Sequence, residues 1–244
     1  MSRNVVITGA AGGIGMALIA AFVDAGDQVI AVDRSQGDAA PQVTWLTRDI
    51  ASLTGNEIAP ALIDDIIQMC SGRCDVLINN AAIQHIGNFT ALPMTAWTET
   101  LAVNLLAPVA LIRALLPLMP APSGVVINVS SIHAHLTKPG FTAYATSKAA
   151  LSGLTRALAV ELGHRARFVA IEPAAIETPM LRAGFSGDPQ GFAQLESMHP
   201  AKRLGLPEEV ARLAVLLAAP GMEFVNGTAI GIDGGIAARL HDPA

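Results

Sequence analysis

Short, continuously apolar segments rich in Val and Ile alternate with longer helical patterns along the whole chain, and this alternation limits the fold more than any other feature. Strands of this character are buried on both faces, as in parallel sheets that are covered by helices. Right-handed crossovers then place successive strands side by side. The sequence therefore predicts an α/β fold with a doubly wound, mainly parallel, seven-stranded sheet flanked by helices, in a single domain over residues 1–244.

The predicted strands and helices follow one another in a regular order. The seven strands are Asn4–Thr8, Gln28–Val32, Val43–Thr47, Asp75–Asn79, Gly124–Ser130, Arg167–Glu172 and Thr228–Ile232. The helical patterns cover about residues 14–25, 57–70, 95–118, 142–163 and 207–218.

Residues 177–207 are predicted to be one irregular span. A loop of this length in a compact domain often covers a ligand, so we interpret it as a substrate loop. The alternative is a plain surface excursion, which fits poorly with the apolar side chains of Met180, Phe185 and Phe192.

Composition and charge exclude several classes of function. Hydrophobic residues make up 52% of the chain and charged residues 14%, which is not the profile of a disordered protein. A net charge of −5 without a basic run predicts no nucleic-acid partner. The longest apolar stretch, Leu101–Pro120, contains Asn104, Arg113 and three prolines, which favours a buried helix over a membrane span. With no signal-peptide pattern after Met1, we expect a cytoplasmic protein without a membrane partner.

Two pairs of metal-ligating residue types stand close in sequence. Cys70 and Cys74 are interpreted as small apolar side chains, because a lone C-x-x-x-C without a second ligand pair is a poor zinc site. His133 and His135 form an H-x-H pair, but no third ligand stands out. The sequence therefore predicts no metal.

A glycine-rich turn follows the first strand and opens the first helix. Within "TGAAGGIG", Gly9 permits the tight turn, Gly13 lets the backbone approach a pyrophosphate, and Gly15 lets the helix pack close to the sheet. The helix N-terminus attracts the negative charge of the phosphates. Placed between a strand and a helix, this pattern predicts a dinucleotide site.

An acid at the end of the second strand indicates which dinucleotide binds. The Asp33 carboxylate would accept hydrogen bonds from the adenosine ribose and repel a 2′-phosphate, which favours NAD over NADP. The neighbouring Arg34 opposes this preference, because an arginine can hold a 2′-phosphate. Asp49, after the third strand, would either bind the adenine amino group or cap a helical turn, and the sequence leaves both alternatives open.

The only tyrosine of the chain lies four residues before a lysine. Tyr144 and Lys148 in "YATSK" share one face of the predicted helix. A nearby ammonium lowers the pKa of a tyrosine, so the pair can serve as a general acid/base near neutral pH. Ser131 ends the preceding strand, at the edge of the sheet where helix starts converge. By itself, Y-x-x-x-K is usually only a helix face.

Several motifs together carry a resemblance to one family. They are "TGAAGGIG", "NNAA" from Asn79, "LAVNL" around Asn104, the serine pair ending at Ser131, "YATSK", "EPAAIETPM" and "NGTAIGIDGG". In these motifs the chain resembles the short-chain dehydrogenase/reductase family, in its single-domain branch, over essentially its whole length. The resemblance implies a Rossmann-like fold, an NAD-dependent oxidoreductase acting on a small alcohol or ketone, and a homotetramer.

The same resemblance implies a role for each of four residues. Tyr144 would exchange the proton at the substrate oxygen while hydride moves to or from nicotinamide. Ser131 would polarise that oxygen, Lys148 would bind the nicotinamide ribose and lower the pKa of Tyr144, and Asn104 would hold a water of the proton relay. Besides the residues already named, it implies cofactor contacts from Ile14, Ile50, Asn80, Ala81, Pro173, Ile176 and Thr178, and from Tyr144 and Lys148 themselves.

Two residues depart from the pattern of the family. Ala82 replaces the glycine that usually ends N-N-A-G, and Ala174 replaces the glycine that usually follows Pro173. If either backbone position had a positive φ, alanine would strain it.

Three spans are expected to surround the substrate: the residues after "NNAA", those after Ser131, and the 177–207 loop. The candidate contacts are Gln84, Ser131, His133, Phe141, Met180 and Phe185. The polar side chains of Gln84 and His133 favour a hydroxylated, polyol- or sugar-like substrate over a bulky steroid. The alternatives are an epimerase or dehydratase that uses the same Tyr/Lys pair, and a non-catalytic NAD-binding scaffold.

Overall fold

The computed structural model describes residues 2–54 and 60–240, and a seven-stranded sheet forms its centre. The strands are β1 (Asn4–Thr8), β2 (Gln28–Asp33), β3 (Val43–Thr47), β4 (Val76–Asn79), β5 (Gly124–Val129), β6 (Ala166–Pro173) and β7 (Ala229–Ile232). They lie in the order β3-β2-β1-β4-β5-β6-β7, and every neighbouring pair is parallel. The predicted doubly wound sheet is confirmed.

Helices cover both faces of the sheet. They are α1 (Gly13–Asp24), α2 (Pro60–Met69), α3 (Met94–Leu101), α4 (Ala107–Leu115), α5 (Thr142–Leu162), α6 (Pro179–Gly184), α7 (Pro189–Met198) and α8 (Pro207–Ala218). Successive side chains of β1 enter opposite layers: Val5 and Ile7 join the core under α1 and α8, and Val6 joins the core under α2 and α4. Because all neighbouring strands are parallel, their carboxyl ends lie at the same edge of the sheet.

The predicted helix at about 95–118 differs from the observed one. A π-helical turn, Ala102–Leu106, separates α3 from α4, and a 3-10 turn, Leu116–Leu118, ends the run. By length and composition alone, Met94–Leu118 is the one stretch of the described chain that could cross a membrane. Several of its apolar side chains, including Leu111 and Leu115, are instead buried in the core beside the sheet.

The prediction of an irregular loop over residues 177–207 is wrong, because this segment contains α6 and α7. Each helix starts with a proline in its first turn and has a side-chain cap. Thr178 accepts a hydrogen bond from the Leu181 N–H at 3.2 Å, and Asp188 accepts one from the Gly191 N–H at 2.8 Å. The pairs Thr-Pro and Asp-Pro are the sequence signals of these helix starts.

Two further predictions concern the region around α2. The predicted helix at about 57–70 begins within residues 55–59, which lie outside the described residues; α2 is described from Pro60 onward. Cys70 and Cys74 are free thiols with fully buried side chains in the core, as expected of small apolar residues.

Candidate active site

The glycine turn between β1 and α1 makes backbone contacts that only glycine permits. Gly9 has a φ of +64°, and a Cβ there would lie 2.6 Å from the Cα of Ala81. A Cβ on Gly15 would lie 2.1 Å from the carbonyl oxygen of Gly9. On Gly13, it would lie 3.0 Å from the methyl group of Thr178. Among the described residues no side chain caps the start of α1, so the first N–H groups of this helix can receive a phosphate, and the turn fits the dinucleotide that the sequence predicts.

Replacing Gly15 with alanine is expected to destabilise the fold by about 1–3 kcal/mol, because the added methyl group overlaps backbone atoms that cannot move independently. NAD affinity should fall with it. Urea unfolding and an NAD titration measure the two effects.

Gly12→Ala is the matched control, because its Cβ would lie 3.3 Å from the carbonyl oxygen of Gly9. Equal unfolding free energies for Gly15→Ala and the wild type would show that the short distance between residue 15 and the Gly9 carbonyl oxygen does not affect stability.

Asp33 connects the end of β2 to the glycine turn. Its Oδ2 accepts a hydrogen bond from the Ala11 N–H at 3.0 Å, and its Oδ1 accepts one from the Ser35 N–H at 3.0 Å. The carboxylate is half-buried at the edge where the strands end. It is therefore held next to the turn that would carry the pyrophosphate.

Asp49 caps a short helical turn. Its Oδ1 accepts a hydrogen bond from the Ala51 N–H at 2.9 Å, at the start of the 3-10 helix Ile50–Thr54. The capping alternative is thus present in the structure, whereas the adenine contact stays a prediction. The Ile50 side chain is buried in the core.

The end of β4 supports the glycine turn from the other side. The Nδ2 of Asn80 donates to the carbonyl oxygens of Thr8 and Gly9, both at 3.0 Å. The Ala81 N–H donates to Thr8 Oγ1 at 3.1 Å. Asn80 and Ala81, predicted as cofactor contacts, thus hold the turn in its conformation.

Tyr144 and Lys148 lie together at the start of α5. The Lys148 Nζ lies 5.7 Å from the centre of the Tyr144 ring and donates a hydrogen bond to the Val129 carbonyl at 2.7 Å. Lys148 is 2% exposed, whereas Tyr144 is half-buried. Ser131, just past the end of β5, lies beside the Tyr144 side chain. The structure therefore brings together three of the four predicted catalytic residues.

The electrostatics of this cluster differ from the expectation that Lys148 lowers the pKa of Tyr144. Burial raises the pKa of the Tyr144 phenol, and the hydrogen bond with Ser131 lowers it in part. Burial also lowers the pKa of Lys148 from 10.5 to about 7. The expected effect on Tyr144 requires a charged Lys148 ammonium, and burial disfavours this charged form.

Asn104, the fourth predicted catalytic residue, lies in the π-helical turn and is fully buried. Its Oδ1 accepts from the Ile83 N–H at 2.9 Å, and its Nδ2 donates to the Ile83 carbonyl and to Ser147 Oγ, both at 3.0 Å. Ser147 donates in turn to the Tyr144 carbonyl at 2.7 Å. The side chain thus joins the segment after β4 to the helix of Tyr144, a link that the sequence did not predict. Its role in a water relay stays a prediction.

An aromatic wall stands beside Tyr144. The His133 ring stacks on Phe141 with centroids 4.6 Å apart and meets the Tyr144 ring edge-on at 5.6 Å. His133 Nδ1 lies 2.9 Å from Thr137 Oγ1. Burial, with a contribution from the Lys138 ammonium, lowers the pKa of His133 and favours the neutral ring. Two of the predicted substrate contacts, His133 and Phe141, therefore lie against the Tyr144 ring.

The other three predicted substrate contacts lie further out in the surrounding segments. Gln84 is exposed in the segment between β4 and α3. Met180, on α6, is 72% exposed. Phe185 packs edge-to-face on Phe192 with centroids 5.7 Å apart, within the 177–207 segment itself. Among the described residues, no hydrogen bond or ring contact joins these side chains to Tyr144, so their role stays a prediction.

The two alanines that depart from the family pattern are not strained. Among the described residues other than glycine, only Ser71 and Lys202 have a positive φ. Ala82 and Ala174 therefore adopt backbone conformations that alanine tolerates.

The segment after β6 leads from the sheet to the glycine turn. Pro173 ends β6, and the buried Ile176 forms a β-bridge with Gly205. Thr178 then reaches Gly13, and Ile14 packs against the core at the start of α1. These predicted cofactor contacts therefore lie where the segment after β6 meets the glycine turn and the start of α1.

Metal-ligating side chains are not clustered in this site. Within residues 2–54 and 60–240, no group of three or more His, Cys, Asp or Glu side chains could hold a metal ion. His135, the second member of the H-x-H pair, points its Nε2 to the Glu172 carboxylate at 3.0 Å.

Comparison with known proteins identifies the family. A family model described as enoyl-(acyl carrier protein) reductase matches residues 9–237. The 3beta-hydroxysteroid dehydrogenase 1 of Eggerthella lenta is 33% identical over 245 residues, which cover 96% of this chain and 93% of that protein. The 5-keto-D-gluconate 5-reductase of Escherichia coli is 33% identical over 243 residues, covering 96% and 95%.

A solved structure agrees over the full length. The ligand-free aldohexose dehydrogenase of Thermoplasma acidophilum matches with a TM-score of 0.91 and 30% identity, covering 100% of this chain and 97% of that one. These similarities extend over both the glycine turn and the Ser131–Tyr144–Lys148 cluster. The chain therefore belongs to the short-chain dehydrogenase/reductase family of oxidoreductases.

Proposed function

We propose that this protein is an NAD-dependent dehydrogenase that transfers hydride between nicotinamide and the carbinol carbon of a small hydroxylated substrate. The observation that carries the proposal is the position of Tyr144, which lies half-buried between the Ser131 side chain and the buried Lys148 amine. A phenol in that position can exchange a proton with a substrate oxygen that enters from solvent.

Each residue of the cluster has a distinct part in the oxidation of an alcohol. The nicotinamide ring, when bound, supplies the carbon that accepts the hydride. Tyr144, in its phenolate form, takes the proton from the substrate hydroxyl, and Ser131 hydrogen-bonds to the same oxygen, which orients it. Lys148, with a pKa of about 7, can hold or release a proton near neutral pH, and it would bind the cofactor ribose. In ketone reduction the same proton moves in the opposite direction.

Asp33 supports the choice of NAD. Its carboxylate is fixed beside the glycine turn by the Ala11 N–H, where an adenosine ribose would meet it. Arg34 is exposed and opposes the preference. Asp33→Ala is expected to raise the KM for NAD by about tenfold or more, since hydrogen bonds to a charged group are worth about 1.5–3 kcal/mol. Initial rates with NAD and with NADP measure this change, and a wild type that uses NADP faster than NAD would contradict the assignment.

The substrate is proposed to be a polyol, a sugar or a sugar acid. The exposed Gln84 and the neutral His133 ring offer hydrogen bonds to hydroxyl groups. Two relatives are named for sugar chemistry, the 5-keto-D-gluconate 5-reductase and the aldohexose dehydrogenase, although another is named for a hydroxysteroid. A panel of polyols, aldoses, sugar acids and hydroxysteroids, followed by the formation of NADH, tests the class. Turnover of hydroxysteroids alone would overturn it.

A homotetramer completes the proposal. Val160 on α5 and Phe224 before β7 are 91% and 104% exposed, and contact with other copies would remove this apolar surface from water. Light scattering is expected to give about four times the chain mass of 25.2 kDa. A monomeric mass would contradict this assembly.

A further inference from the structure

A buried carboxylate next to the active site has no part in the mechanism above. Glu172 is the residue before Pro173 on β6, and its side chain is 7% exposed. Its Oε1 accepts a hydrogen bond from the Ser152 hydroxyl at 2.6 Å, and its Oε2 lies 3.0 Å from His135 Nε2. Because a buried carboxylate is costly unless it is hydrogen-bonded, these two partners determine where the side chain lies.

The contact with His135 holds the turn that carries the catalytic serine. Ser131 caps the 3-10 helix Ile132–Ala134, and the His135 N–H donates to the Ile132 carbonyl at 3.0 Å. His135 is therefore the last residue of a compact turn whose first residue is Ser131. The 3.0 Å contact between His135 Nε2 and Glu172 Oε2 links that turn to the end of β6.

The contact with Ser152 reaches the helix of Tyr144 and Lys148. The Ser152 hydroxyl donates its single proton to Glu172 Oε1. The Ser130 hydroxyl, 2.8 Å from Ser152 Oγ and 2.9 Å from the Lys148 carbonyl, then shares its own proton between these two oxygens. A continuous series of buried hydrogen bonds thus runs from Glu172 to the backbone of Lys148.

We propose that Glu172, through His135 and Ser152, is a positioning residue that fixes the distance between Ser131 and Tyr144 during hydride transfer. Among these side chains, Glu172 is the one that contacts both the serine turn, through His135, and α5, through Ser152. Glu172 does not touch the substrate, so its effect is on alignment and not on proton transfer itself. The proposal rests on the proposed dehydrogenase function.

Variants of His135 test the role with little risk to folding, because this side chain is 58% exposed. His135→Leu removes the donor and is expected to lower kcat about tenfold, since small misalignments of reacting groups are costly, with the KM for NAD within about twofold. The deuterium isotope effect on kcat should rise as the chemical step becomes slower. His135→Gln places an amide donor close to the position of Nε2 and should keep kcat within about twofold. His164→Ala, an exposed histidine beyond the far end of α5, is the matched control.

Glu172→Gln, alone and combined with His135→Leu, completes the test. Because both changes act on one contact, the double variant should lose no more than the larger single loss. Unchanged kcat in His135→Leu, an equal loss in His135→Gln, or additive losses in the double variant would each overturn the positioning role. A wild type that oxidises no alcohol would overturn the proposed function, and this role with it. An active wild type with unaffected variants would overturn the positioning role alone.

Discussion

Replacing Tyr144 with phenylalanine is expected to lower kcat by about 10²- to 10⁴-fold, the range for removal of a general acid/base. The phenylalanine ring keeps the edge-on contacts with His133 and Phe141, so the wall of the site should stay in place. Burial raises the pKa of the phenol, so Tyr144 is uncharged in the folded protein. Because the side chain is only half-buried, the loss of this neutral hydroxyl should not destabilise the fold.

Three measurements separate this effect from a general loss of structure. Steady-state kinetics give kcat, fluorescence titration gives the Kd of NAD, and urea unfolding gives the stability. We expect a large loss in kcat alone, with the Kd changed by no more than the weight of one hydrogen bond, about 0.5–1.5 kcal/mol. A variant with wild-type turnover would refute the role of Tyr144 as the acid/base.

Replacing Lys148 with methionine is expected to abolish most activity and to stabilise the protein at neutral pH. Burial lowers the pKa of Lys148 from 10.5 to about 7. Between these two pH values the unfolded chain binds a proton that the folded protein does not, so this lysine costs stability that is recovered as the pH rises towards 10.5. Methionine removes the cost but also the hydrogen bond to the Val129 carbonyl. With 1.36 kcal/mol for each pKa unit and about 1 kcal/mol for the lost bond, we expect a net gain of about 2–4 kcal/mol at pH 7.

The test is the difference in unfolding free energy between the two proteins across pH. This difference should be largest at pH 7 and below, and should decrease steadily towards pH 10. The comparison with the variant cancels the titration of every other group. A methionine variant that is less stable than the wild type at pH 7 would show that the buried amine is stabilised by interactions stronger than its desolvation.

The sheet could be predicted from the sequence because its central strands are buried on both faces. All seven observed strands overlap the predicted ones, since continuous runs such as those of β1 and β5 have few other stable environments. The helices of the 177–207 segment were missed because they are short and lack a long apolar period. The π-helical turn at Ala102–Leu106 could not be predicted either, because it continues the same apolar helical pattern as its neighbours.

In the candidate site, too, some features could be predicted from the sequence and others depend on the tertiary structure. The spacing of Tyr144 and Lys148 on one helix face, and Ser131 at a strand end, are local features that the sequence carries directly. The pKa of Lys148 depends on how many other segments cover it, and this is a property of the tertiary structure. The contact between Glu172 and His135 joins residues 37 positions apart in two segments, so no local pattern indicates it.

The proposed function depends on one step, the transfer of hydride from a carbinol carbon to NAD as the Tyr144 phenolate takes the hydroxyl proton. Its most direct test uses the best alcohol of the substrate panel, deuterated at the carbinol carbon, followed by mass spectrometry of the nicotinamide product. We expect the wild type to form reduced NAD that carries the deuterium, and Tyr144→Phe to form almost none. Reduced NAD without deuterium, or equal transfer by both proteins, would refute this mechanism.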